Sequence, residues 1–202
     1  MAAAGRTPRD ALLFTPATAP GPRPVVLIFH GGGGSAGWMA NRSGEFTRAL
    51  TGAGYITVYM NGSNRRRTDK LRTWNAVHCC AWAAKAKINE AAYADAVIDA
   101  LDARFGIDRT RIFLMGHSNG AMLSYRLAGA MQTAPRAIAA ISGAIFADQP
   151  DVPDRTSIFM YHAVDDESLS YQGDPGDKAA RWRTQPHLAF TAAEEKLASL
   201  ED

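Results

Sequence analysis

The sequence predicts an α/β fold in which a mostly parallel sheet carries helices on both faces. Short apolar runs alternate with segments of helical spacing along the 202 residues, a pattern typical of this class. Residues 25–29, Val-Val-Leu-Ile-Phe, are apolar throughout, as in a parallel strand that is buried on both faces. Residues 112–115 lead through Gly-His-Ser-Asn-Gly into a helical pattern. We expect one domain over residues 1–202.

The elements follow one another in a regular order. Residues 11–14 are a short apolar run, and a loop rich in Pro, Ala and Gly extends from there to Pro24. Besides the strands at 25–29 and 112–115, the sequence predicts strands at 55–59, 137–141 and 157–161, and helices at about 41–50, 88–105, 121–128 and 188–200. The long polar segment 60–84 is interpreted as a functional loop.

The composition excludes several function classes. Twenty-two basic and 20 acidic residues give a net charge of +2, so neither nucleic acid nor a membrane is expected as a partner. The basic cluster Arg65–Arg67 with Lys70 and Arg72 is interpreted as a solvated loop. The cysteines Cys79 and Cys80 are adjacent, so they are either free thiols or a strained vicinal bridge. No metal site is expected, because no second Cys or His cluster stands at ligand spacing. The N-terminus has no apolar run long enough for a signal peptide.

Two turns carry the candidate chemistry. Four glycines follow the strand at 25–29, in the glycine loop (residues 30–35), where backbone N–H groups could hold an oxyanion. The second turn, here called the Ser118 turn (residues 116–120), is Gly-x-Ser-x-Gly between a strand and a helix. A side chain at Gly116 or Gly120 would collide with the helix or the strand, and Ser118 is interpreted as a nucleophile. Both turns and the residues after 161 fall at carboxyl ends of strands, so they can converge.

With these residues placed, the sequence resembles the α/β-hydrolase group that contains polyhydroxybutyrate depolymerases, feruloyl esterases and acetylxylan esterases. The resemblance runs from about residue 11 to the C-terminus. It rests on the glycine loop, Trp74-Asn75-Ala76 with Cys79-Cys80, the Ser118 turn, and His162-Ala163-Val164-Asp165-Asp166. It implies a secreted serine esterase that acts on a small or polymeric ester and uses no metal or organic cofactor.

The resemblance also implies a role for individual residues. Ser118 would be the nucleophile, Asp166 the triad acid with Asp165 as the alternative, and the backbone N–H groups of Gly32 and Asn119 the oxyanion donors. Trp38, Trp74 and Tyr171 are expected as pocket walls, with packing in the core or a loop as an equal alternative. The chain departs from the pattern at Ala163, where the group has Gly, and at Asn89-Glu90, where it has two Asp residues.

The triad histidine is the third departure. The expected order is Ser, acid, His, and only His187 follows Asp166. Residues 167–186 contain no apolar run that could form the strand before it, and Pro186 suits the start of a helix. We therefore hold two alternatives open. Either His187 is the base, or it begins a helix and the chain lacks both the last strand and the true triad histidine. A binding relic without turnover is then the alternative function, and a serine peptidase a third.

Overall fold

The computed structural model describes residues 9–18, 20–66, 68, 70–146, 148, 152–174 and 187–198. These residues form a six-stranded sheet in the order β1-β3-β2-β4-β5-β6, in which β1 pairs antiparallel with β3 and the other neighbours are parallel. The predicted α/β class is confirmed. In chain order the elements are β1 (Ala11–Phe14), β2 (Arg23–Phe29), α1 (Ala36–Arg42), α2 (Gly44–Gly52), β3 (Ile56–Met60), α3 (Ala81–Lys85), α4 (Glu90–Phe105), β4 (Ile107–His117), α5 (Asn119–Ala130), β5 (Ala137–Ile141), β6 (Ser157–Tyr161) and α6 (Phe190–Ala198).

The strand register brings the candidate residues to one edge of the sheet. Phe29 of β2 lies opposite Gly116 of β4, so the glycine loop and the Ser118 turn leave the sheet side by side. His117 lies opposite Ile141, and Ile141 opposite Tyr161. The segment after β6 therefore leaves at the same edge, as expected for the carboxyl ends of parallel strands.

Burial is greatest in the middle of the sheet. All five residues of β3 and six of the seven residues of β2 are buried, which is why these strands are apolar without alternation. Strand β6 differs, because Phe159 and Tyr161 have 61% and 59% of their surface exposed. No helix among the described residues is long and apolar enough to cross a membrane.

Several boundaries differ from the prediction. The helix predicted at 41–50 is two helices, because Ser35 caps an earlier start through its contact with the Trp38 amide and Ser43 adopts a non-helical conformation. Strand β4 has 11 residues rather than four, and its partly exposed, polar first half conceals it from a search for apolar runs. Helix α6 spans Phe190–Ala198, inside the predicted range 188–200; residues 199 and 200, like Pro186, lie outside the described residues.

Candidate active site

Ser118 is held in a strained turn between β4 and α5. Its φ of 53° and ψ of −120° place a residue with a side chain in a conformation that is rarely occupied away from functional sites. The Ser118 amide donates to the Ile141 carbonyl at 2.8 Å, and its side chain makes no capping hydrogen bond to α5. The hydroxyl is thus presented at the strand edge rather than used to hold the helix.

The two glycines of this turn are required by the space around them. A Cβ at Gly116 would lie 2.2 Å from the Gly120 carbonyl oxygen, and one at Gly120 would lie 2.3 Å from the Phe29 carbonyl oxygen. Both neighbours are backbone atoms that cannot rotate away. The predicted reason for Gly-x-Ser-x-Gly, close contact between strand and helix, is therefore observed directly.

The glycine loop approaches Asn119, the residue after the serine. A Cβ at Gly32 would lie 3.7 Å from the Asn119 Cβ. Within the part of the chain that the structure describes, neither the Gly32 nor the Asn119 amide has a hydrogen-bond partner. Asn119 also begins α5, whose N-terminal dipole favours negative charge. Two free N–H groups beside Ser118 are the arrangement that can stabilise an oxyanion.

His30 fixes the base of the glycine loop and is fully buried. Its Nδ1 lies 2.7 Å from the Gly31 carbonyl oxygen, and its Nε2 accepts from the Gly62 amide at 3.0 Å. This pairing requires the neutral ring with its proton on Nδ1. The pKa of His30 is lowered to about 4, mainly by burial; the hydrogen bond with Gly31 opposes this shift, and the charges of Arg72 and Arg9 add to it. His30 is therefore a structural residue.

The Trp74 segment (residues 74–80) is bonded to the Ser118 turn through Asn119. The Asn119 Oδ1 accepts from the Trp74 amide at 2.8 Å, and its Nδ2 donates to the Trp74 carbonyl at 3.3 Å and to Cys79 Sγ at 3.4 Å. Cys79 is joined to Cys80 in a vicinal disulfide. The side chain of Asn119 thus holds the Trp74 segment, while its backbone N–H takes no part in these bonds.

Of the predicted pocket walls, Trp38 and Trp74 have opposite surroundings. Trp74 is 0% exposed and donates from Nε1 to the His30 carbonyl at 2.8 Å, so the expectation that it lines a pocket is corrected: it has no surface to offer a ligand. Trp38 follows the glycine loop, is 50% exposed and stacks under Arg42 at 4.6 Å. Tyr171 stacks on Phe190 of α6 at 5.0 Å.

Glu90 anchors the Trp74 segment from beneath. The sequence singled it out only as a departure from the family pattern. It is 1% exposed, accepts from the Asn75 amide at 2.9 Å and forms an ion pair with Arg9. Burial raises the pKa of Glu90, and Arg9 opposes that shift. Since Arg9 also lies over Trp74 at 5.2 Å, a buried ion pair supports the loop that Asn119 holds.

Asp166 lies in the acid loop (residues 162–174), which follows β6. Its Oδ1 accepts from the amides of Ser168 and Leu169 at 2.8 and 2.9 Å, and its Oδ2 lies 3.6 Å from His162 Nε2. Burial lowers the pKa of His117, while the charge of Asp166 raises it. By the strand register, the acid loop leaves the sheet at the same edge as the Ser118 turn. Asp165, the alternative acid, is exposed.

His187 has partners of its own. Its Nδ1 lies 2.9 Å from Asp174 Oδ2, and its Nε2 lies 3.0 Å from the Ser170 carbonyl oxygen. Both ring nitrogens therefore face oxygen atoms of the acid loop. Asp174 also accepts from the His187 amide at 3.0 Å. No sequence signal pointed to Asp174.

Two surface cavities lie away from this site. One of about 450 Å³ is lined by β1 and the α1–α2 region, including Phe14 and Arg48. The other, of about 610 Å³, lies along Asn41 to Phe46 and Met115. Neither is lined by Ser118, Gly32 or Asn119. Among the described residues, no group of three His, Cys, Asp or Glu side chains could hold a metal ion.

Comparison with known proteins gives structural but not sequence neighbours. No family profile and no curated protein matches the sequence. A carboxylesterase from Bacillus cereus superposes with a TM-score of 0.67 at 13% identity, over 96% of this chain and 81% of the other. A thermostable esterase gives 0.63 at 14% identity, over 95% and 48%.

The protein named sOPH superposes with a TM-score of 0.55 at 20% identity, over 72% of this chain and 51% of the other. The chain thus spans about half the length of sOPH. At these identities the likeness concerns the fold, and it agrees with the parallel sheet and the strand–turn–helix unit at Ser118. This chain has the α/β-hydrolase fold.

Proposed function

We propose that this chain is a serine carboxylic-ester hydrolase that works through an acyl-enzyme. The observation that carries the proposal is the strained Ser118 next to two free N–H groups, on Gly32 and Asn119. The Ser118 hydroxyl attacks the ester carbonyl, the two N–H groups hold the resulting oxyanion, and the alcohol leaves. Water then releases the acid from Ser118.

Asp166 is proposed as the acid of the triad, because its loop leaves the sheet at the same edge as the Ser118 turn and because it already accepts two backbone N–H groups. Such a fixed carboxylate can hold an imidazole in one tautomer. His187 can act as the base beside Asp166 only after its Nε2 leaves the Ser170 carbonyl and its Nδ1 leaves Asp174. We therefore expect slow turnover. Polyester, feruloyl and acetyl esters are the proposed substrates, from the resemblance of the motifs.

The contacts of His187 favour a second candidate function, the binding of an ester without turnover. With both ring nitrogens engaged, Ser118 would lack a base, and the oxyanion donors alone would hold a carbonyl group. A serine without its base is a weak nucleophile.

The experiment is labelling with a fluorophosphonate together with hydrolysis of 4-nitrophenyl acetate. Ser118→Ala is compared with the control Ser43→Ala. Ser43 precedes helix α2, and its side chain makes no capping hydrogen bond, so its removal should not disturb the fold. We expect Ser118→Ala to abolish labelling and to lower hydrolysis at least about tenfold, with Ser43→Ala unchanged. Equal hydrolysis in both variants would contradict the proposal. Ester binding by a folded chain that neither labels nor hydrolyses would favour the second candidate.

A further inference from the structure

Positive charge is concentrated in one part of the sequence. Residues 46–89 contain eight Lys or Arg residues and a single acidic residue, Asp69, although the whole chain has a net charge of only +2. Five of the eight lie in what we call the basic loop (residues 64–72). The sequence alone favours a solvated loop, because exposed basic runs are common.

The structure places the basic loop against the glycine loop. The Gly33 amide donates to the Arg72 carbonyl at 2.8 Å, and the Leu71 amide donates to the Gly33 carbonyl at 3.2 Å. Two residues later, Trp74 is bonded to Asn119. The C-terminal end of the basic loop therefore lies beside the glycine loop, which carries Gly32, one of the two proposed oxyanion donors.

The basic loop has its own internal structure. The Asn64 Nδ2 donates to the carbonyls of Thr68 and Lys70, and its Oδ1 accepts from the Thr68 amide. Residues Ser63 and Thr73 form an isolated antiparallel bridge where the loop begins and ends. These bonds hold the backbone at Asn64, Thr68 and Lys70 in a closed turn whose two ends meet at the Ser63–Thr73 bridge.

Three of the basic side chains are available to a ligand. Arg65, Arg66 and Lys70 are exposed, and no carboxylate of the described residues lies within ion-pair distance of them. Arg72 differs, since its Nη1 donates to the Gly62 carbonyl at 2.9 Å. Exposed like charges near a cleft concentrate oppositely charged ligands within about 10 Å at moderate salt.

We propose that the preferred substrate is an ester that also carries a carboxylate or another anionic group, which Arg65, Arg66 and Lys70 attract. This inference rests on the proposed ester hydrolysis at Ser118 and names the substrate class for that same site. The anion is recognised mainly by the field of these side chains, so binding weakens as ionic strength rises.

The test compares 4-acetoxybenzoate, which is anionic, with the neutral 4-acetoxybenzamide. The ratio of their kcat/KM values is measured for the parent chain, for Arg65→Gln/Arg66→Gln, and for Arg104→Gln/Arg155→Gln. The control pair removes the same charge from exposed residues that precede β4 and β6, at the opposite edge of the sheet. Comparing ratios between variants cancels the intrinsic reactivity of the two esters.

We expect Arg65→Gln/Arg66→Gln to lower the ratio about fivefold at low ionic strength, and the control pair to leave it unchanged. Lys70→Gln should lower it about twofold. The ratio of the parent chain should fall as salt is added, whereas hydrolysis of the amide-bearing ester should not respond.

Hydrolysis that depends on Ser118 but shows the same ratio in all variants would overturn the substrate class and leave the proposed function intact. An equal fall of the ratio in the control pair would also overturn it, because the effect would then be one of net charge. Absence of Ser118-dependent hydrolysis of both esters would overturn the proposed function itself, and the substrate class with it.

Discussion

The two halves of the candidate site are built in different ways. The nucleophile half, with the glycine loop and the Ser118 turn, is fixed by backbone atoms in close contact: a Cβ at Gly120 would lie 2.3 Å from the Phe29 carbonyl oxygen and 2.7 Å from the His30 carbonyl oxygen. The acid half is fixed by side chains, through Asp166 on two amides and His187 on Asp174. The first half fails when atoms are added, whereas the second fails when polar partners are removed.

The largest expected effect breaks the nucleophile half by adding one methyl group. Gly120→Ala would place a Cβ 2.3 Å from a backbone carbonyl, so we expect a loss of about 4 kcal/mol or more of unfolding free energy. Urea unfolding followed by circular dichroism measures it. Gly37→Ala, in helix α1 with nothing within 4 Å, is the control and should be neutral or stabilise by up to about 1 kcal/mol. Equal stability of the two variants would contradict the close contact.

The next effect is on the pH dependence of stability. The pKa of His30 is about 4 in the folded chain, against 6.5 for the ordinary group. Between these values the unfolded chain binds a proton that the folded chain excludes, so stability falls as pH drops from 6.5 to 4, by about 3 kcal/mol for this group. Above pH 6.5 the contribution is fully present. Unfolding at several pH values measures the slope.

The variant His30→Asn supplies the control for this slope, because its amide does not titrate. We expect it to be less stable at pH 7, since the Gly62 amide loses its acceptor, and to lose much of the pH dependence between 6.5 and 4. If the parent chain and His30→Asn show the same slope, the buried neutral ring is not its cause.

The smallest expected effect is on stability when His187 is replaced, and it distinguishes a structural from a catalytic role of this residue. Its contacts with Asp174 and Ser170 predict that His187→Ala costs about 2 kcal/mol of stability and that Asp174→Asn costs a similar amount. If His187 has only this structural role, we expect the folded His187→Gln variant to keep kcat for 4-nitrophenyl acetate within about tenfold of the parent chain. A thousandfold loss of kcat in that variant, with stability retained, would instead identify His187 as the base.

The same contrast explains what the sequence could predict. The strands at 25–29, 137–141 and 157–161 and the Gly-x-Ser-x-Gly turn follow from apolar runs and from steric limits on glycine, which are local properties. The split of the helix near Ser43 was not predicted, because hydrophobic spacing continues across a change of backbone direction.

The partners of the polar side chains could not be predicted for a different reason. His187 and Asp174 are 13 positions apart, and Arg9 and Glu90 are 81 apart. Which polar side chains pair depends on the path of the loops that connect the strands and helices. The spacing of hydrophobic residues carries no information about that path. The assignments of Ser118 and Asp166 stay predictions for the experiments above, and the burial of Trp74 shows how an aromatic residue of a matching motif can serve packing instead of recognition.

The amide group of Asn119 pairs with both the N–H and the C=O of Trp74, as one residue of a neighbouring strand would. A single side chain therefore makes the pair of hydrogen bonds that a neighbouring β-strand would make, and it joins the Ser118 turn to the Trp74 segment. Because both hydrogen bonds break when either segment moves away, we expect the two segments to unfold locally as one unit. Exchange of the Trp74 amide hydrogen with solvent would therefore report the opening of the contact between these two segments.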